Sequence, residues 1–125
     1  MPVVGVLGCD AAESRAAAKT LGLPRAYGDF DEVLADPAVA AVHLAVPNVL
    51  HFDMARRALR AGKHVMCEKP RAMTAEQSGE LADLADATGL AAGVCYNVRF
   101  YPLNLHARDL VAGGEVGEVW AVHGS

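Results

Sequence analysis

A lysine pinned between an acid and a proline is the feature of this sequence best suited to chemistry. In HVMCEKPRAM (His64–Met73) an apolar run stops on Glu68, Lys69 and Pro70. Pro70 fixes its own backbone and disfavours helix at Lys69. A lysine held in this way can donate or relay a proton when partly desolvated, whereas one in a solvated turn is only punctuation. Glu68 beside it can orient the ammonium or contact a cofactor. Two further polar groups follow apolar runs in the same manner: Asp10 after VVGVLGC (Val3–Cys9), and Pro47–Asn48 after AAVHLAV (Ala40–Val46). Asp10 reads equally as the N-cap of the next helix and as a carboxylate accepting from an adenosine ribose; one carboxylate can do both. Ala11 offers no charge for a ribose 2′-phosphate, which favours NAD, while Arg15 one turn on keeps NADP open. His51 falls in the first turn of the helix after Asn48. A lone histidine there is more often a packing or capping group than a catalyst.

The elements that must position these groups alternate between short strands and helices. VVGVLGC predicts a buried strand, followed by the helix DAAESRAAAKTLG, closed by Gly22. RAY (Arg25–Tyr27) is a very short strand, and Asp29 with Glu32 forms a capping box for a helix with Phe30, Val33 and Leu34 on its apolar side. AAVHLAV is the next strand. The helix opened by Asn48 carries Met54, Ala55, Ala58 and Leu59 on one stripe and ends at Gly62. After the strand HVMC, Thr74 and Gln77 cap a helix bearing Leu81, Leu84 and Ala85. LAAGVCY is a further strand, Pro102 opens a helix running to Gly113–Gly114, and GEVWAVHGS starts one more strand. Apolar strands alternating with helices predict an α/β fold: a Rossmann-type parallel sheet with helices on both faces and right-handed crossovers. Ligands of such sheets bind beyond the carboxyl ends of the strands, which puts Asp10, Pro47–Asn48 and Lys69 on one edge.

Other chemistries find little support. The net charge is −4 with the signs mixed along 125 residues, so no basic block neutralises phosphates and nucleic acid is not an expected partner. No apolar run approaches the ~20 residues of a membrane span, and the N-terminus lacks the pattern of a signal peptide, so a cytoplasmic location is the default. Cys9, Cys67 and Cys95 are odd in number and far apart, and His43, His64, His106 and His123 show no metal-ligand spacing. No metal is expected, and the cysteines read as small buried hydrophobes. The fingerprint G-x-G-x-x-G is absent: the glycines of GVLGCD (Gly5–Asp10) sit inside an apolar strand at the wrong spacing.

Three motifs together resemble the Gfo/Idh/MocA family of NAD(P)-dependent oxidoreductases. They are VPNVLH (Val46–His51), ALRAGKHVMCEKP (Ala58–Pro70) and NVRFYP (Asn97–Pro102). The closing GEVGEV resembles the family's passage into its substrate domain. The resemblance implies hydride transfer between a nicotinamide and a hydroxyl carbon of a sugar, inositol or related polyol, with NAD, or NADP, as cofactor. It further implies that Asp10 contacts the adenosine ribose and that Pro47, Asn48 and His51 line the cofactor cleft. Glu68 and Lys69 then approach the nicotinamide ribose and the reacting centre, with Lys69 catalytic. Arg15, Asn97 and Arg99 are counted with the cofactor-binding residues. The Lys-Pro bond is often cis in this family, which X-Pro bonds permit at modest cost.

Compared with that family pattern, the chain starts at the second strand, lacking the first strand-helix unit. Residues 1–116 read as a partial Rossmann domain and 117–125 as the start of a C-terminal α/β substrate domain. In the strand order 3-2-1-4-5-6 the first strand lies between VVGVLGC and AAVHLAV. Two unpaired apolar edges are expected there, and natural sheets avoid exposing such edges. The polypeptide alone is therefore expected to self-associate or fold poorly and to be inactive. The alternative to an oxidoreductase fragment is a non-catalytic truncated Rossmann module acting in interaction or regulation.

Overall fold

The computed structural model describes residues 2–123. The chain divides into two compact units, Met1–Val94 and Cys95–Ser125. The first unit runs β1 (Gly5–Val6), α1 (Ala11–Leu21), β2 (Arg25–Ala26), α2 (Phe30–Ala35), β3 (Ala41–Leu44), α3 (Asn48–Arg60), β4 (His64–Cys67), α4 (Ala75–Thr88) and β5 (Ala92–Val94). The second contains a 3₁₀ turn, Asn97–Phe100, and α5 (Pro102–Ala112).

Every strand pairing is parallel. β1 pairs with β2, and β3, β4 and β5 form a second sheet in that order. Among the described residues no ladder joins β1 to β3, the place where the expected strand order leaves a gap. One apolar core nevertheless spans both sheets, because Tyr27, Val33 and Val39 cluster with Val42, Leu44, Val65 and Cys67, and Val4 and Leu7 pack against them. The α/β, Rossmann-type reading of the sequence holds.

Helix starts in this unit follow one local device. Asp10 accepts from Glu13 N at 2.8 Å while Glu13 Oε2 accepts from Cys9 N at 2.6 Å. Asp29 and Glu32 repeat the exchange with Gly28 N, and Thr74 and Gln77 repeat it with Met73 N. Each pair satisfies two backbone donors that a helix start would leave unpaired. Gly22 ends α1 at φ 64°, a left-handed conformation that costs glycine nothing sterically. α3 is the exception in the unit: Pro47 caps it without a side-chain hydrogen bond, and no acidic residue occupies its first turn.

Small residues bring the layers together. α3 buries Ala55, Ala58 and Leu59 and α4 buries Leu81, with Val42, Leu44, Val65 and Cys67 as the buried sheet residues. Along β3 and β4 burial alternates, and Ala41, His43, His64 and Met66 are exposed. This period-two pattern was hidden in the sequence by the apolar side chains of Ala41 and Met66.

Four of the longer expected strands shrink or vanish. VVGVLGC yields only Gly5–Val6, because the amides of Gly8 and Cys9 bond to Ser14 Oγ and Glu13 rather than to a ladder. AAVHLAV yields Ala41–Leu44 and LAAGVCY yields Ala92–Val94. Residues 118–123 form no strand, since a ladder needs a neighbour; Gly124 and Ser125 lie outside the described residues. In the second unit Pro102 opens α5 as expected, and Asn104 Nδ2 donates to Val98 O at 2.6 Å, joining the helix to the 3₁₀ turn.

Candidate cofactor-binding and catalytic site

The turn after β4 is fastened at both ends. Glu68 N donates to Leu44 O at 2.9 Å, which carries the β3–β4 ladder one residue past the strand. The Lys69–Pro70 peptide bond is cis. Beyond it, Arg71 donates to Ser78 O at 2.8 Å and Met73 N to Gln77 Oε1 at 3.1 Å, so the chain enters α4 on a fixed path. Lys69 is exposed, Glu68 half-buried. The partial desolvation that would sharpen a proton-handling lysine is therefore not supplied by the first unit alone.

Asp10 follows the carboxyl end of β1, and Pro47–Asn48 follows the carboxyl end of β3, on the side of that sheet where Lys69 follows β4. All three groups are exposed. Asp10 Oδ1 is engaged in capping α1, so the capping half of its dual reading is realised. Arg15 is exposed on the second turn of α1. The first turn of α3, uncapped by any side chain, leaves backbone N–H groups at this edge for an acceptor.

His51 is placed differently from the cleft-lining role that the family resemblance implies. Its side chain is fully buried, with Nδ1 2.6 Å from Pro70 O and Nε2 2.8 Å from Val46 O. Burial and two backbone contacts leave neither ring nitrogen facing a cleft, in keeping with the packing reading of a lone histidine. Asn97 and Arg99 belong to the second unit, where both are exposed and Asn97 Oδ1 accepts from Val98 N at 2.9 Å.

Two residues near the site escaped the sequence reading. His43 Nε2 lies 3.6 Å from Glu68 Oε1. The register signals it, because His43 is opposite Met66 and Glu68 is two residues further along the same strand face. Ser14, fully buried, donates to Asp10 O and accepts from Gly8 N, both at 2.9 Å, and so fixes the loop that carries Asp10. The cysteines need a correction. Cys67 is buried, but Cys9 is exposed and Cys95 half-buried, because the loop after β1 turns outward to cap α1. The Cys9 thiol is held above its ordinary value chiefly by a hydrogen bond to Glu13, and Cys67 chiefly by burial. Neither is an activated nucleophile. Among the described residues no cluster of three metal-ligating side chains occurs, and no helix is long and apolar enough to cross a membrane.

The chain is 44% identical over 124 residues to an uncharacterized oxidoreductase of Rhizobium meliloti, covering 99% of this chain and 37% of that protein. It is 39% identical over 113 residues to D-xylose 1-dehydrogenase (NADP(+)) 2 of Haloferax volcanii, covering 90% of this chain and 34% of the relative. The crystal structure of an inositol dehydrogenase homologue from Azotobacter vinelandii, complexed with NADH and myo-inositol, matches with a TM-score of 0.85. Identity there is 36%, over 94% of this chain and 33% of that one. The chain thus spans about a third of the length of the curated relatives it matches. Residues 2–96 match a family described as oxidoreductases with an NAD-binding Rossmann fold. With that match joined to the parallel α/β sheet and to the groups at its carboxyl edge, the chain belongs to the Gfo/Idh/MocA family of oxidoreductases.

Proposed function

We propose that this chain is the cofactor-binding part of an NAD(P)-dependent dehydrogenase acting on a hydroxyl carbon of a sugar, inositol or related polyol. The observation that carries the reading is the placement of Lys69 beyond the carboxyl end of β4, in a turn tied at Glu68, Arg71 and Met73, on the side of the sheet where Pro47–Asn48 follows the parallel β3. The relatives support the substrate class, one being a D-xylose 1-dehydrogenase and another an inositol dehydrogenase homologue complexed with NADH and myo-inositol.

The residues present fit a dinucleotide at this edge. Asp10 caps α1 with one carboxylate oxygen and offers the other to the adenosine ribose hydroxyls, with Arg15 nearby for a 2′-phosphate. Pro47 and Asn48 line the cleft where the amides of α3 lack a side-chain cap. Glu68 approaches the nicotinamide ribose. No residue here is assigned to the pyrophosphate, since the glycine fingerprint is absent from the sequence. A bound nicotinamide would supply the acceptor or donor for the hydride of the hydroxyl carbon. Lys69 holds the hydroxyl oxygen and moves its proton, so that the carbon and oxygen together exchange a hydride and a proton as alcohol and carbonyl interconvert. His51, buried against Pro70 O and Val46 O, is given no direct contact in this reading.

In the complete dehydrogenase, Lys69→Met lowers hydride transfer by roughly 10²–10⁴-fold, the contribution of a positioned acid or base, and changes cofactor affinity much less. Reduction of NAD and NADP with a panel that includes myo-inositol and D-xylose reads this directly. Full turnover in the variant overturns the assignment. The reading includes self-association of the isolated chain through the unpaired edges of β1 and β3, which among the described residues are laddered only to β2 and β4.

A further inference from the structure

His51 sits fully buried in the first turn of α3 with both ring nitrogens against backbone oxygens, Pro70 O at 2.6 Å and Val46 O at 2.8 Å. Carbonyl oxygens only accept, so each contact asks the ring for an N–H. A singly protonated ring satisfies one of them, and a doubly protonated ring satisfies both. The two oxygens belong to different parts of the site. Val46 precedes the Pro47–Asn48 pair, and Pro70 follows Lys69 directly.

The other ties of the Lys69 turn lie at Glu68, Arg71 and Met73, on either side of the Lys69–Pro70 pair. Pro70 has no N–H, so its carbonyl is the one backbone polar group by which it can be held. His51 grips that group. It is itself buried in the first turn of α3, one turn before the core residue Ala55.

We propose that His51 is a positioning residue: through the Pro70 carbonyl it fixes where Lys69 stands relative to the Pro47–Asn48 loop, and it touches neither cofactor nor substrate. The kinetic half of this statement rests on the reading of Lys69 as the group at the reacting carbon. The structural half, the grip on Pro70, stands independently of it.

Two sets of measurements test the two halves. In the folded, isotope-labelled protein, NMR should show a through-hydrogen-bond coupling between the His51 ring and the Pro70 carbonyl carbon. In His51→Ala, amide exchange should accelerate at Lys69 and Arg71 and stay unchanged at Leu81 in α4. In the complete dehydrogenase the same variant should lose about 10²-fold in kcat, the scale of an ångström-level misplacement, with KM for the cofactor nearly unchanged. His51→Gln, which retains a donor, should recover part of that loss. Absence of the coupling, or exchange that rises equally at Leu81, overturns the proposal. If His51→Ala does not fold, the coupling in the unaltered protein and the kinetics of His51→Gln decide in its place. A null result for Lys69→Met removes the function proposed above but leaves the coupling and the exchange pattern in force.

Discussion

Replacing two glycines by alanine should move stability in opposite directions, and the structure says why. A Cβ on Gly5 would lie 2.6 Å from Arg25 O, 2.7 Å from Tyr27 Cε2 and 2.8 Å from Arg25 Cβ. Ordinary carbon contacts begin near ~3.5 Å, so β1 and its neighbours must separate by several tenths of an ångström. Arg25 O is backbone of the paired strand and cannot swing aside. Tyr27 is buried, with its hydroxyl donating to Asp36 Oδ2 at 2.7 Å, so moving the ring loosens that bond as well. Overpacking of this kind costs ~1–3 kcal/mol, against ~0.5–1 kcal/mol gained by removing a flexible glycine, for a net loss of about 1 kcal/mol at the middle of those ranges. A Cβ on Gly79, in the interior of α4, meets nothing within 4 Å. There the alanine should stabilise by ~0.5–1 kcal/mol through helix propensity. Urea unfolding of the same protein carrying each change separately would place the two midpoints on opposite sides of the parent, about 1 M apart at a slope of ~2 kcal/mol/M. A Gly5→Ala protein as stable as its parent would refute the close packing of β1 against β2 and Tyr27.

Asp36 gives a pH-dependent contribution whose sign follows from its surroundings. Its carboxyl is held below the usual range chiefly by the Tyr27 hydroxyl, then by the Ala38 amide and Arg25. A folded-state value below the unfolded one stabilises at any pH above the ordinary carboxylate value of ~3.9, and that contribution is lost as pH falls through the lower, folded value. Asp36→Asn should therefore be the less stable protein at pH 7, with the gap closing below about pH 4; urea midpoints across that range check it, and a constant gap would contradict it. Asp10 should make the completed domain prefer NAD over NADP by roughly five- to tenfold, the scale of one exposed charge–charge contact, and Asp10→Ala should narrow the ratio. Competitive titration of the two cofactors reads this, and tighter NADP binding would pass control of the site to Arg15.

The parts of this molecule that were legible in the sequence are those fixed by local chemistry. Asp10 with Glu13, Asp29 with Glu32 and Thr74 with Gln77 each close a helix start within four residues, so the two boxes read from the sequence, like the cap at Asp10, formed where the residue types put them. The apolar stripe of α3 needed no tertiary information either, since Ala55, Ala58 and Leu59 share a face by helical spacing alone. What stayed hidden depends on partners distant in sequence. Asp36 looks like one more surface acid, yet it gathers Arg25, Tyr27 and Ala38, while its own carbonyl accepts from Lys63 Nζ at 2.9 Å. Gly5 looks like a failed phosphate-binding glycine until Tyr27 is laid against it. His51 divides between the two cases. Its position near the start of α3 was plain, but its contact with Pro70 spans 19 residues and exists only because β4 runs parallel beside β3. A motif such as V-P-N-x-x-H therefore carries two kinds of position: Asn48 stands exposed after β3, while His51 is buried between Val46 O and Pro70 O. Only the fold separates them, because a histidine with both nitrogens on backbone oxygens and one with a nitrogen in a cleft are identical in sequence.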